Sequence, residues 1–170
     1  MLEQVNMAEP TRILFVCLGN IVRSPLAEHL FREHAEKAGV GDKYMVQSAG
    51  TAAYHVGDSP DVRMRQVASS RGLNYDGRGR QIREHDLDEF DLIIPMDTHN
   101  QDELLALSKG QANRARIRLM REFDPEANGE HSVPDPYYGG IDGFEQVYDI
   151  LDRSTRRLLD SLEAGEVDLP

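Results

Sequence analysis

The chain of 170 residues is 39% hydrophobic, enough for one core and too little for two, so a single domain is expected. Its formal net charge of -11, from 30 Asp and Glu against 19 Lys and Arg, excludes a surface built to meet nucleic-acid phosphates. No apolar run is long enough for a membrane helix, the opening Met1-Leu2-Glu3-Gln4-Val5-Asn6-Met7 lacks the basic and apolar regions of a signal peptide, and the single cysteine cannot form an internal disulfide. A cytoplasmic location is expected, with neither nucleic acid nor membrane as partner.

Residues 1–9 read as a frayed extension, ahead of a domain over 10–165 and a tail over 166–170. The first element is carried by Ile13-Leu14-Phe15-Val16, an apolar run without a polar face, as a central parallel strand covered on both sides requires. Cys17 stands where that strand ends. Ser24-Pro25 supplies an N-cap and a first-turn proline, so the segment from Cys17 to Arg23 is a tight loop closed by a helix N-terminus. Such a loop aims backbone N–H groups and a helix dipole at one spot, which favours an anion. The field that holds a phosphate also favours a thiolate, and Arg23 adds a guanidinium fork for two phosphate oxygens. The plainer alternative is a buried cysteine at a strand end beside an ordinary helix cap.

The helix opened by Ser24 places Ala27, Leu30, Phe31, Ala35 and Ala38 on one stripe and ends at Gly39 and Gly41. Residues 44–48 form a second strand, parallel to the first through a right-handed crossover, and the small residues of 48–57 then pass beside the Cys17 loop. Ser59-Pro60-Asp61 starts a helix with Val62, Val67 and Ala68 inward, ending at Gly72. Residues 71–81 read as a basic loop with Arg71 and Arg78 in solvent. Leu92-Ile93-Ile94-Pro95 is a third, internal strand, followed by Asp97 as N-cap of a helix containing Leu104, Leu105 and Leu107. Alternation over 114–120 suggests an edge strand, the fourth and last, and 124–132 reads as loop. Asp142 with Glu145 makes a capping-box start for a closing helix whose inward stripe is Phe144, Val147, Tyr148, Leu151, Thr155, Leu158, Leu159 and Leu162. The expected fold is α/β: a single-domain open four-stranded parallel sheet with helices on both faces and a phosphate-binding loop after the first strand. Ligands of such sheets bind at the carboxyl ends of the strands, where Cys17 lies.

A cysteine that attacks a phosphate monoester needs an acid to protonate the leaving oxygen. Asp124-Pro125 and Asp135-Pro136 compete for that part, and each is also a plain turn signal. Asp135 is stiffened by a proline on either side and followed by Tyr137-Tyr138, whose aromatic faces could stack on a phenyl ring.

The stretch Cys17-Leu18-Gly19-Asn20-Ile21-Val22-Arg23-Ser24-Pro25 resembles the Cys-x5-Arg-Ser signature of the low-molecular-weight protein tyrosine phosphatases. The likeness extends through Ser48-Ala49-Gly50-Thr51, His55 to Asp61, Arg80-Gln81 and Met96-Asp97 to an Asp-Pro-Tyr-Tyr motif on Asp135. It implies hydrolysis of phosphotyrosine monoesters by double displacement, with Cys17 as nucleophile, Arg23 and the loop residues Leu18, Gly19, Asn20, Ile21 and Val22 around the phosphate, and Asp135 as acid and then base. It further implies a hydrogen bond from Ser24 to the thiolate, support of the loop by Asn20, Ser48 and Arg80, and cleft walls from Tyr54 and Tyr137. No cofactor or metal is implied. The implied partner is a phosphotyrosine-containing protein, a tyrosine kinase among the candidates, with small aryl phosphates or inorganic phosphate also entering the loop.

Two positions depart from that pattern. Val22 stands where many members have a second cysteine that protects an oxidised nucleophile, and Gly77 where the pattern often has a histidine joined to the loop network. Three rival readings share these residues: an arginine phosphatase, whose loop tends to have threonine where this chain has Ile21; an arsenate reductase, which with Cys17 alone would need an external thiol; and a phosphoprotein-binding module without turnover.

Overall fold

The computed structural model describes residues 8–170, so the extension expected over 1–9 lies largely outside it. Strands β1 (Thr11–Cys17), β2 (Tyr44–Gly50), β3 (Leu92–Pro95) and β4 (Arg116–Ile117) form one four-stranded sheet in the order β2-β1-β3-β4, all parallel. β1 is paired with β2 from Thr11 opposite Tyr44 to Cys17 opposite Gly50, and with β3 from Ile13 opposite Leu92 to Val16 opposite Pro95. Flanked on both edges, it buries both faces, which explains its apolar run.

Helices cover each face. α1 (Arg23–Lys37), α2 (Val62–Ser70) and α5 (Ile141–Glu163) share one core with Ile13, Phe15 and Cys17, through Leu26 and Phe31, Met64 and Val67, and Phe144 and Leu151. The odd-numbered side chains of β1 lie on this side, as strand alternation requires. On the opposite face α3 (Asp86–Glu89) and α4 (Thr98–Ser108) set Leu87 and Leu104 against Leu14, Val16 and Ile93. Single domain, parallel sheet, two helical layers and carboxyl-edge loop thus agree with the sequence.

Several local expectations are corrected. The N-cap of α1 is Val22, and the Ser24 hydroxyl, in the first turn, faces the Cys17 sulfur instead. Asp61 does cap α2, its side chain accepting from the Arg63 and Met64 N–H groups, but this leaves Val62 57% exposed and turns Met64 inward. Arg71 lies over the Tyr148 ring and pairs with Asp149 of α5 rather than standing free in solvent. β4 has only two residues, because the chain then turns through a short 3-10 helix, Met120–Phe123, that buries Met120 and Phe123. Gly140 precedes α5, so Asp142 lies within its first turn, near the positive end of the helix dipole, rather than at the cap. Ala38 and Leu105 are exposed, while the inward stripe of α5 is buried or half-buried as expected. Val167 is buried, Leu169 packs on the same core and Arg116 Nε meets Asp168 Oδ2 at 3.1 Å, so the last residues lie against the domain. No described helix is long and apolar enough to cross a membrane.

Candidate active site

The site begins where β1 runs out. The carbonyl of Cys17 accepts from Thr51 N–H at 2.9 Å and that of Leu18 from Ala52 N–H at 3.0 Å, so the start of the loop is laid along the segment after β2. Only glycine fits at position 50, where a Cβ would stand 2.8 Å from the Leu18 oxygen. Asn20 then turns the chain with φ +57, a left-handed conformation that asparagine tolerates, and its N–H points at the Cys17 sulfur at 3.3 Å.

The Asn20 side chain works as a three-way fastener. Its Oδ1 accepts from the Arg80 N–H at 2.9 Å, and its Nδ2 donates to Ser24 Oγ at 2.9 Å and to Ser48 Oγ at 3.0 Å. Ser24 Oγ lies 3.0 Å from the Cys17 sulfur and 3.4 Å from the Ala49 oxygen. A thiolate at Cys17 only accepts, so towards it the Ser24 hydroxyl is the donor, with the Ala49 oxygen as a second acceptor within reach. Arg80 supports the loop through its backbone; its guanidinium turns away to Asp86, 3.0 Å off. Burial raises the Asp86 carboxyl, but the Arg80 guanidinium and the Arg83 N–H outweigh it and hold the group below its ordinary value.

Arg23 is 2% exposed. Its Nη1 donates to Asp97 Oδ2 at 2.7 Å and to the Val133 carbonyl at 2.9 Å, while Nη2 faces Asp135 Oδ2 at 3.6 Å. Asp97 is shared, for its Oδ1 accepts the Asn100 N–H at 2.7 Å and caps α4. Asp135 is aimed by its own turn, Oδ1 accepting the Tyr137 N–H at 3.1 Å. Asp124, the rival acid, is buried and bound to Arg153 at 2.7 Å and Arg121 at 3.0 Å. Burial raises its carboxyl, and Arg153, the Glu126 N–H and Arg121 together bring it below the ordinary range. It is a structural ion.

A cavity of about 130 Å³ opens above the sulfur, lined by Cys17, Leu18, Gly19, Ile21, Val22, Arg23, Tyr54, His55, Asp135, Tyr137 and Tyr138. Most expected residues therefore meet in one place. Asn20, Ser24, Ser48 and Arg80 lie behind the loop and brace it from there. One wall is aromatic: Tyr137 meets Tyr138 edge-on with centroids 4.9 Å apart, and the Arg63 guanidinium sits 5.4 Å from the Tyr137 ring. Tyr54 stands at the rim, 77% exposed. Sequence reasoning missed His55, whose ring lies against Gly19 and whose Nδ1 is 3.1 Å from Asp58 Oδ2, and it missed the second task of Asp97. A cap signal accounts for one carboxylate oxygen and is silent about the other.

An anion loop at the carboxyl edge of a parallel sheet, with a thiol on its floor and a buried arginine at its end, defines a cysteine-dependent phosphatase. Residues 12–167 match the model of the low molecular weight phosphotyrosine protein phosphatase family, and the chain belongs to that family. It is 39% identical over 149 residues to a low molecular weight protein-tyrosine-phosphatase of Streptomyces coelicolor, a match spanning 87% of this chain and 91% of that one. Among solved structures, the protein tyrosine phosphatase of Entamoeba histolytica with Hepes in its active site superposes with a TM-score of 0.86 at 41% identity, over 92% of this chain and 99% of that one. A Drosophila arginine phosphatase is also similar, with a TM-score of 0.80 and 31% identity over 89% of this chain and 97% of that one.

Proposed function

We propose that this chain hydrolyses phosphotyrosine in proteins, with Cys17 as nucleophile, Arg23 as phosphate clamp and Asp135 as proton donor. The observation that carries the reading is that one cavity brings the Cys17 sulfur, the Arg23 guanidinium and the Asp135 carboxyl together beneath aromatic walls. The sulfur attacks phosphorus in line, the S–P bond forms as the P–O bond to the phenol breaks, and protonated Asp135 gives its proton to the departing oxygen. Loop N–H groups and Arg23 take up the charge spread over the equatorial oxygens. Water, with its proton passing to Asp135, then splits the phosphocysteine and frees inorganic phosphate. Ser24 donates to the sulfur in the resting loop and steadies it again as it leaves.

The apolar rim of Leu18, Ile21 and Val22, opposite Tyr137 and Tyr138, favours a flat phenyl ring over a guanidinium. Matched phosphotyrosine and phosphoarginine peptides, assayed at mildly acidic pH with Cys17→Ala as blank, test this. Faster release from phosphotyrosine, lost in the blank, is expected; preference for phosphoarginine would make the chain an arginine phosphatase. Asp135→Asn is expected to slow phosphotyrosine hydrolysis by about a hundredfold or more, and p-nitrophenyl phosphate less, because its leaving group needs little protonation. An equal loss on both substrates would remove Asp135 from the acid's role.

A further inference from the structure

We propose that Arg63, which stands outside the catalytic cavity, is a positioning residue that together with Asp61 fixes the width of the slot between the loop after β1 and the Tyr137 ring, and thereby the preference of the site for flat aryl groups. The inference rests on the cavity over Cys17 being the phosphatase site.

Asp61 ties down one wall. Its N–H donates to the Ile21 carbonyl at 2.8 Å, and Ile21 is part of the apolar side of the cavity. Its carboxylate is spent on Arg63: Oδ1 accepts the backbone N–H at 2.8 Å and Nε at 3.2 Å, and Oδ2 accepts Nη2 at 2.9 Å. A guanidinium held at both prongs has little freedom to turn.

That guanidinium carries the other wall. Its carbon lies 4.5 Å from the centroid of the Phe144 ring and 5.4 Å from that of Tyr137. Phe144 is fully buried in α5, so the cation is backed by a fixed ring and faces one at the edge of the core. Tyr137 needs such a hold. It stands in the short loop between Pro136 and the Gly139-Gly140 pair, its neighbour Tyr138 is 97% exposed, and the ring of His55, which also lines the cavity, is 6.1 Å away. Among the described residues Arg63 is the one cation set over the Tyr137 ring. Ile21, Asp61, Arg63 and Tyr137 thus form a continuous tie from one side of the slot to the other.

Width matters because a phenyl ring gains contact energy only where a wall touches it, and a gap of about 0.5–1 Å forfeits roughly a quarter to a half of the attraction between carbon atoms. Inorganic phosphate has no aryl group and does not use the slot. Slot and loop therefore separate in experiment. Calorimetric titration of phenylphosphonate, which no hydrolysis consumes, and of inorganic phosphate into wild type, Arg63→Met, Arg63→Lys and Asp61→Asn makes the comparison. In Arg63→Met, phenylphosphonate is expected to bind about fivefold more weakly, while phosphate stays within about twofold of wild type. Methionine keeps apolar bulk over Phe144, so the loss belongs to the guanidinium. Arg63→Lys keeps the charge but cannot take both Asp61 oxygens while lying flat on a ring, and is expected to lose as much. Asp61→Asn keeps the oxygen that caps α2 and gives up the second, with the same selective loss. An unchanged ratio of the two affinities in Arg63→Met, whether neither or both are weakened, or full wild-type selectivity in Arg63→Lys, overturns the proposal. If Arg63→Met does not fold, Arg63→Lys and Asp61→Asn decide by the same signs. Wild type that binds neither ligand would remove the phosphatase reading and this proposal with it, whereas binding with an unaltered ratio in the variants removes this proposal alone.

Discussion

Asp97 shows how much one carboxylate can hold. Its two oxygens bind different elements, one ending α4 and the other fixing the Arg23 guanidinium at 2.7 Å. Asp97→Asn keeps an oxygen for the cap and removes the charge from Arg23. We expect a loss of about 2 kcal/mol of positioning, roughly thirtyfold in kcat/KM, with little change in thermal unfolding; steady-state kinetics and a melting curve on the same preparation check both. Cys17 raises a second matter at this scale. With no other cysteine in the chain, a sulfenic acid formed on it has no internal thiol to condense with. Prolonged peroxide should carry it to sulfinic acid, and dithiothreitol should then restore only a small part of the activity; full restoration would show that the loop protects the sulfur in another way. The candidate nucleophile and clamp were legible in the sequence because spacing alone puts them in one loop. The two Asp-Pro pairs compete in the sequence, and the resemblance to the family's Asp-Pro-Tyr-Tyr motif falls on Asp135; the structure puts Asp135 in the cavity and Asp124 between two arginines.

Elements were legible where a long period repeats and obscure where an end is set by tertiary contact. α5 could be read from its stripe, yet its first turn was misplaced because Asp142 and Glu145 satisfy a capping pattern that the chain does not use. The serine before Pro25 gave a good cap signal for α1, but its hydroxyl does more beside the sulfur than at a helix end. β4 was overestimated, since an alternating run continues in sequence after the backbone has left the sheet. The junction of β2 with the loop is a close backbone contact beside the site, and Gly50→Ala tests it. Its Cβ would meet the Leu18 oxygen at 2.8 Å, with backbone on both sides, so the loop must shift. We expect a destabilisation of about 1–3 kcal/mol by urea titration together with weaker inhibition by inorganic phosphate. Unchanged phosphate affinity would mean that the strain is absorbed elsewhere.

At the scale of the whole molecule, a net charge of -11 is held together by aspartates tied to arginines and to backbone N–H groups. For Asp61, Asp86 and Asp124 burial raises the carboxyl and hydrogen bonds to Arg63, Arg80 and Arg153 more than reverse it; for Asp152 the His34 hydrogen bond leads, and all four lie below the ordinary 3.8. A group depressed on folding stabilises above its unfolded value and loses that contribution as pH falls through the folded one. Urea midpoints should therefore hold steady from pH 7 to about pH 5 and fall steeply below about pH 4. Asp86→Asn should be less stable at pH 7 and show a shallower acid decline; an unaltered decline would assign acid sensitivity to other groups. The sheet that these pairs surround has a further consequence. A strand offers only two faces, and Cys17 shares one with Ile13 and Phe15. Adding or deleting a single residue within β1 would carry the sulfur through the sheet to the side of Leu87 and Phe90, with the loop still correct in composition. Reactivity here is thus a matter of parity: the count of residues from Ile13 to Cys17 decides, as odd against even, on which side of the molecule a nucleophile exists.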